Sequence, residues 1–392
     1  MNLNEVAAAA NTVRSLSMDA VEKAKSGHPG LPMGCAELGV LLYGEIMNHD
    51  PKDPQWADRD RFVLSAGHGC MLLYSLLHLS GYELSIEDLM GFRQAGTKTP
   101  GHPEWGTTPG VETTAGPLGQ GLGNAVGMAI AERILSAAFN TPKHTVVNHY
   151  TYVLASDGDM MEGVASEAAS LAGHLGLGKL IVFYDSNRIT IEGSTDLAFS
   201  ENVPARFAAY GWHTQSGSMY DVEGILRMTE EAKRASDKPS FIELESIIGK
   251  GAPNKAGTAK AHGEPLGADE VKAAKAALGI PEGAQFFVFP GAREYFQSRH
   301  AAWKARHAEW DNTFKAWKAE NPALYEKWRQ WVESPRLDLP AAALAEFAQG
   351  ETLATRAASG SGSARAIRTA SSERPARSQS AAQTPARATT CS

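Results

Sequence analysis

Two polar side chains follow two apolar segments of this chain, and their types and spacing suit a metal-assisted diphosphate site. Asp157-Gly158 comes directly after the segment 151–155 and its Ser156, and Asn187 follows the segment 180–184. A helical stretch between them completes one strand–helix–strand unit, which places both at the carboxyl ends of neighbouring parallel strands. Carboxylate, amide and backbone carbonyl oxygens are the ligands that Mg²⁺ and Ca²⁺ prefer. The pattern predicts a cation anchored by Asp157.

Asp-Gly after a strand is also a common turn sequence, so this pair alone does not single out a ligand site. The polar residue at the end of the second segment, Asn187, favours the ligand site, because 28 residues lie between Gly158 and Asn187. That length suits one strand–helix–strand crossover. We therefore favour the cation site over a plain turn.

Helical and extended patterns alternate along most of the chain, and they define the elements that must position these residues. The predicted helices lie near 3–25, 34–47, 71–80 and 119–139, and the predicted strands near 62–65, 151–155, 180–184 and 241–247. This alternation predicts an α/β fold in which helices cover both faces of a parallel sheet. With 392 residues, 43% of them apolar, the chain can bury a large core and should divide into more than one unit.

Composition excludes several classes of partner. The net charge is −7, the pI is near 6.0, and no block of Lys or Arg in the part expected to be ordered suggests a nucleic-acid groove. The three cysteines have no metal-ligand or disulfide spacing, which favours a reducing cytoplasm, with Cys35 and Cys70 filling core space. The amino terminus has no secretion pattern, and no apolar run is long enough to span a membrane.

The character of the chain changes in its last hundred residues. Trp303, Trp310 and Trp317 recur every seven residues in an amphipathic helical pattern. We interpret them as packing surface of a helical connector, with ligand stacking as the alternative. Residues 361–392 hold five arginines and few large apolar side chains, so we expect disorder there. A shifted reading frame or truncated gene is our hypothesis for this segment, and a natural tail is the alternative.

Four of the twelve histidines lie in Gly- and Pro-rich loops, where an imidazole can approach an anion or a sugar hydroxyl closely. These four are His28, His68, His102 and His262. The histidines at 78, 174, 300 and 307 fall in helical stretches and are interpreted as surface or packing residues. A zinc cluster is the competing interpretation, but no His-Glu-x-x-His or paired-Cys spacing supports it.

The Asp-Gly pair, followed after about 26 to 30 residues by Asn, resembles the thiamine diphosphate-binding motif. Met161-Glu162-Gly163 and Tyr184-Asp185-Ser186-Asn187 narrow the resemblance to the transketolase family. Further segments resemble that family in its order: Ser26-Gly27-His28-Pro29-Gly30, Leu64-Ser65-Ala66-Gly67-His68-Gly69, Pro100-Gly101-His102-Pro103-Glu104, Thr114-Ala115-Gly116-Pro117-Leu118-Gly119-Gln120-Gly121, and Pro253-Asn254-Lys255-Ala256-Gly257-Thr258 followed by His262-Gly263.

The resemblance implies specific ligand roles. The ligands of Mg²⁺ or Ca²⁺ would be Asp157, Asn187 and the carbonyl of Ile189. The contacts to the thiamine diphosphate would be His68, Gly158 and His262 at the diphosphate, and the backbone of Gly116, Pro117 and Leu118 at the aminopyrimidine. The contacts to the sugar phosphate would be His28, His102, His262 and Arg356, with the histidines relaying protons as catalytic groups and the guanidinium gripping phosphate.

The resemblance covers about residues 4–359 and implies a division into parts. Residues 1–290 would form the thiamine diphosphate-binding domain, 291–335 a Trp-rich helical connector, and 336–360 the start of a pyrimidine-binding domain. The family activity is transfer of a two-carbon unit from a ketose phosphate to an aldose phosphate, in the pentose phosphate pathway or the Calvin cycle. We expect a homodimer, with Glu162 at the subunit interface, or a partnership with a separate pyrimidine-domain chain.

The sequence also departs from the family pattern. No pyrimidine domain is recognisable after Arg356, so we expect little or no transferase activity from the chain alone. Ser156 stands where the family usually has Gly, and Asp159 where a small residue or Cys is common, and we expect both to alter the turn more than the chemistry. Three hypotheses stay open: a transketolase, one subunit of a split transketolase, and a cofactor-binding or dimerising protein without turnover.

Overall fold

A parallel sheet of five strands organises the first part of the chain in the computed structural model, which describes residues 1–333 and Ala357. The strands lie side by side in the order β1-β2-β3-β5-β4. Their bounds are Arg61–Leu64 (β1), Thr151–Ser156 (β2), Leu180–Ser186 (β3), His213–Ser218 (β4) and Ser240–Glu245 (β5). All neighbouring pairs are parallel, so the predicted α/β fold with a parallel sheet is confirmed.

Fourteen α-helices surround the sheet or extend from it within the described residues. Those before β2 are Leu3–Ala24 (α1), Gly30–Gly34 (α2), Ala36–Leu41 (α3), Cys70–Ser80 (α4), Ile86–Met90 (α5) and Gln120–Phe139 (α6). Those between β2 and β5 are Asp157–Met161 (α7), Gly163–Leu175 (α8), Val203–Ala209 (α9) and Val222–Arg234 (α10). The remainder are Ala268–Ala277 (α11), Pro290–Gln297 (α12), His300–Glu320 (α13) and Pro322–Trp328 (α14).

The two central strands, β2 and β3, are buried at every position. Side chains alternate across the sheet, so each strand contributes to two separate cores. Tyr152 and Leu154 join the core that includes α1, α3 and α4, whereas Val153 and Ala155 join the core that includes α6, α8 and α9. Helices therefore cover both faces, as the near-continuous apolar runs of the central strands predict.

The sequence pattern did not predict strand β4. Its sequence, His-Thr-Gln-Ser-Gly-Ser, carries no apolar alternation, and most of its residues are only half-buried. β4 lies at the edge of the sheet and pairs only with β5. The long helical patterns predicted their elements well: the bounds of α1, α4 and α6 match the expected helices closely.

The tryptophan-bearing helix α13 packs against the body of the fold. Trp303 and Trp317 are buried, and the Nε1 of Trp317 donates to the carbonyl oxygen of Phe139 at 2.8 Å. The Nε1 of Trp310 donates to the carbonyl oxygen of Val146 at 3.0 Å. The prediction that these tryptophans form packing surface is confirmed. Cys35 and Cys70 are likewise buried and free.

Residues 1–324 form one structural unit, and residues 325–392 belong to a second. The boundaries predicted at 290, 335 and 360 remain predictions. Arg356, and the predictions for 336–360 and 361–392, lie outside the described residues apart from Ala357. Among the helices of the described part, none combines the length and apolar character needed to cross a membrane.

We expect Trp317→Ala to lower the free energy of unfolding by about 3–5 kcal/mol, because it removes a buried indole and leaves a cavity. Trp317→Phe keeps most of the ring but loses the donor to the Phe139 carbonyl, and we expect it to cost about 1–2 kcal/mol. Urea unfolding of the purified chain, followed by circular dichroism, measures both values. An alanine variant as stable as the wild type would contradict the packing role.

Candidate functional site

The pairing of β2 with β3 brings the predicted acid and amide together. Ser156 at the end of β2 lies opposite Asp185 in β3, so Asp157 and Asn187 follow at the same edge of the sheet. The backbone N–H of Asn187 donates to Oδ2 of Asp157 at 3.2 Å, and that of Arg188 donates to the same atom at 3.0 Å. The sequence prediction that these strand ends meet is confirmed.

Two carboxylates are buried at this edge without a compensating positive side chain. Asp157 and Asp185 are 3% and 1% exposed, and within the described part of the chain no Lys, Arg or His forms an ion pair with either. Burial raises the pKa of both groups, and burial together with the charge of Asp185 raises the pKa of Asp157 to about 6. Since buried charges are stable only when compensated, this edge fits a bound cation.

The donor set around Asp157 consists of oxygens. Asn187 presents an amide oxygen, which accepts the backbone N–H of Ile189 at 2.9 Å and retains a free lone pair. In the described residues no group of three His, Cys, Asp or Glu side chains is arranged to hold a metal. A cation here would therefore combine Asp157 with amide, carbonyl and ligand oxygens, the set suited to Mg²⁺ or Ca²⁺.

All four loop histidines form one cluster, although they are spread over most of the first unit in sequence. The ring centroid of His28 lies 5.1 Å from that of His68, 6.4 Å from that of His102 and 5.8 Å from that of His262. The rings of His68 and His262 are stacked at 5.2 Å. The prediction that these histidines belong together agrees with this geometry.

Burial lowers the pKa of all four imidazoles below the usual value. The pKa of His28 falls to about 4, with further contributions from His262, Arg93 and His102, and the pKa of His68 falls well below its usual value. The cluster is therefore neutral near pH 7. Each neutral ring offers one N–H donor and one acceptor nitrogen, which suits hydroxyl binding and proton transfer.

The segment 116–118 connects the acidic turn with the histidine cluster. A Cβ on Gly116 would lie 3.4 Å from the ring of His102, and a Cβ on Gly158 would lie 2.8 Å from Cδ1 of Leu118. The missing Cβ of Gly158 thus lets the side chain of Leu118 pack against the turn, and Gly116 lies beside His102. The Nδ1 of His262 is buried, and none of the described residues gives it a hydrogen-bond partner. These features fit a phosphate-bearing ligand that occupies the space between the turn and the histidines.

Sequence reasoning missed Arg93 as a site residue. It has a left-handed backbone, with φ of 61°, and its Nη1 donates to the Ser26 hydroxyl at 2.7 Å. Its Nη2 lies 3.5 Å from Nδ1 of His28, and with His102 it lines a groove of about 810 Å³. No motif surrounds Arg93 in the sequence, so only the fold reveals its position.

Asp159 does more than shape the turn. Its carboxylate is fully buried and accepts from the Ser65 hydroxyl at 2.6 Å, the Gly119 N–H at 2.7 Å and the Ser156 N–H at 2.9 Å. These partners lie at the end of β1, at the start of α6 and at the end of β2. Asp159 therefore joins three elements that border the site. The sequence pattern did not predict these contacts.

Three of the four helical histidines have structural partners, which agrees with the packing role predicted for them. The Nδ1 of His78 lies 2.8 Å from the carbonyl oxygen of Leu84, and the Nδ1 of His307 lies 2.8 Å from Oδ2 of Asp50. The Nε2 of His300 lies 3.1 Å from the carbonyl oxygen of Ser80. None of these three contacts involves a residue of the four-histidine cluster.

The chain matches the family model described as "Transketolase, thiamine diphosphate binding domain" over residues 6–335. It is 53% identical over 359 residues to a transketolase of Treponema pallidum, with 90% of this chain and 54% of the relative covered. A transketolase of Geobacillus stearothermophilus is 51% identical, with 90% and 53% covered. The chain spans about half the length of the curated relatives it matches.

Solved structures agree with the sequence comparison. A transketolase from Leishmania mexicana superposes with a TM-score of 0.85 at 44% identity, covering 93% of this chain and 54% of that one. A Pichia stipitis transketolase in complex with sedoheptulose-7-phosphate gives a TM-score of 0.85 at 42% identity, with the same coverage of both chains.

We expect the stability of the chain to fall between pH 6.5 and pH 4. In that range an unfolded histidine binds a proton that the buried His28 ring, with its pKa near 4, does not. The unfolded state therefore gains protons as pH falls, and the free energy of unfolding decreases. His28→Gln should weaken the pH dependence of the free energy of unfolding, because the difference in protons bound by the unfolded and folded states then falls by up to about one. Urea unfolding at pH 7 and pH 5 measures it, and an unchanged dependence would show that His28 titrates normally in the folded chain.

Proposed function

Because the chain belongs to the transketolase family, we propose that it binds thiamine diphosphate through a divalent cation and serves two-carbon transfer between sugar phosphates. The cluster of four neutral imidazoles, linked to the Asp157 turn through the segment 116–118, carries this proposal. His68 follows β1 and Asp157 follows β2, so the parallel sheet brings these two to the same edge.

Asp157, the amide oxygen of Asn187 and the carbonyl of Ile189 would hold Mg²⁺ or Ca²⁺. Support comes from the two buried carboxylates that lack a counter-charge in the described residues, and from the oxygen-only donor set. His68, His262 and Gly158 would contact the diphosphate. The buried, unpartnered Nδ1 of His262 is available for such a contact.

The segment 116–118 and the remaining histidines would position the organic part of the cofactor and the sugar. The backbone of Gly116, Pro117 and Leu118 would line the aminopyrimidine. When bound, thiamine diphosphate would supply the nucleophilic carbon and the electron sink for carbon–carbon bond cleavage. Neutral rings at His28 and His102 would accept or donate protons at the sugar hydroxyls, since each neutral ring has one donor and one acceptor nitrogen near pH 7.

Arg93 would add a fixed positive charge beside the sugar-facing histidines. Its guanidinium lies against Ser26 and His28 at the groove, where it would attract the anionic sugar phosphate. Arg356 stays our proposed phosphate ligand by family resemblance, and it lies outside the described residues.

We also propose that the chain acts as a homodimer through the surface around Glu162, with a separate pyrimidine-domain chain as the alternative partner. Glu162 is exposed between α7 and α8, and the neighbouring Met161 and Val164 are 40% and 42% exposed. Large apolar side chains that cluster on a surface are typical of an interaction site. In a homodimer these residues would be buried.

We expect the wild-type chain to bind thiamine diphosphate in the presence of Mg²⁺ and to lose it when EDTA is added. Asp157→Ala should weaken cofactor binding by at least about 100-fold, because it removes the anionic ligand of the cation. Isothermal calorimetry measures both affinities. The proposal fails if the alanine variant retains the wild-type affinity and the wild-type dependence on Mg²⁺.

The matched control is Asp60→Ala. Asp60 is also a buried carboxylate, but it accepts the N–H groups of Asn48 and Tyr150 at the opposite end of the sheet. Its removal should lower stability and leave cofactor affinity unchanged. A transfer assay with a ketose phosphate and an aldose phosphate then tests the activity itself. Cofactor binding without any turnover would support the non-catalytic alternative.

A further inference from the structure

We propose that Asp185 is a positioning residue for the cation site: it holds the amide nitrogen of Asn187, so that the amide oxygen faces the cation. This inference rests on the proposed function, since it assumes that Asn187 is a cation ligand. Asp185 belongs to β3 and would not itself coordinate the cation. It would act through the orientation of Asn187.

The hydrogen bonds of Asn187 determine which way its amide points. Its Nδ2 donates to Oδ2 of Asp185 at 2.9 Å, and its Oδ1 accepts the N–H of Ile189 at 2.9 Å. An ionised carboxylate only accepts hydrogen bonds, whereas a backbone N–H only donates. Turning the amide over would set oxygen against oxygen and donor against donor. The oxygen of Asn187 is therefore fixed on the side away from Asp185.

Asp185 is itself held firmly. It is 1% exposed and accepts a hydrogen bond from the Ser246 hydroxyl. Ser246 directly follows β5, so this contact joins the end of β3 to the end of β5. The buried carboxylate cannot follow a moving amide without breaking this bond. It is therefore a rigid support for Asn187.

Two effects of Asp185 on a cation can be separated. Its hydrogen bond orients the ligand Asn187, and its negative charge adds to that of Asp157. Residues that orient metal ligands in this way typically change metal affinity by about 10–100-fold when they are removed. Asp185→Ala removes both effects. Asp185→Asn removes the charge but keeps an oxygen for Asn187, because its own amide nitrogen can turn toward the Ser246 hydroxyl.

The experiment measures the Mg²⁺ concentration that half-saturates retention of thiamine diphosphate in equilibrium dialysis. We expect Asp185→Ala to raise this concentration at least about tenfold, with full retention restored at high Mg²⁺. Asp185→Asn should raise it clearly less. Equal changes in the two variants, or an alanine variant within about threefold of the wild type, would overturn the proposal.

A double-mutant cycle shows whether Asp185 acts through Asn187. In an Asn187→Ala background, Asp185→Ala should cause no more loss than Asp185→Asn causes in the wild type, because only the charge effect remains when the amide is absent. Additive losses would overturn the positioning role. Asp60→Ala serves as the control for removal of a buried carboxylate and should leave the half-saturating Mg²⁺ concentration unchanged.

The experiment distinguishes failure of the positioning role from failure of the proposed function. If the wild-type chain shows no Mg²⁺-dependent retention of thiamine diphosphate, the proposed function fails. If the wild type binds normally and the Asp185 variants do the same, only the positioning role fails. Should Asp185→Ala not fold, Asp185→Ser replaces it in every comparison, since its shorter side chain leaves the Asn187 amide without its acceptor.

Discussion

The parallel pairing of β2 with β3 confines two buried carboxylates, Asp157 and Asp185, to one edge of the sheet. In the described part of the chain neither has a positively charged side-chain partner. Such charges are costly in a protein interior unless a counter-ion compensates them. This requirement determines what the edge can hold, and an oxygen-ligated divalent cation with phosphate oxygens meets it.

The rest of the site is arranged around that edge. The segment 116–118 touches the acidic turn through Gly158 and the histidine cluster through His102. Asp159 joins the ends of β1 and β2 to the start of α6 by hydrogen bonds. An anionic ligand fixed at the cation would therefore extend toward neutral imidazoles, which can exchange protons with hydroxyl groups without carrying a permanent charge.

The sequence predicted the features that depend on local patterns. Long apolar runs marked the central strands, and the spacing of Asp157 and Asn187 marked the strand ends that meet. The edge strand β4 escaped notice because His213–Ser218 is polar and only partly buried. The roles of Arg93 and Asp185 were not predicted for a different reason. Their roles depend on contacts with distant segments or on the direction of a hydrogen bond, and neither leaves a pattern in the sequence.

A crystal structure of the chain grown with thiamine diphosphate and Mg²⁺ tests the central claim most directly. The account predicts a cation about 2.0–2.1 Å from oxygens of Asp157 and Asn187, with the cofactor diphosphate completing its coordination. The Nδ2 of Asn187 should still donate to Asp185. A cofactor bound with no cation between it and Asp157, or bound elsewhere on the chain, would contradict the account.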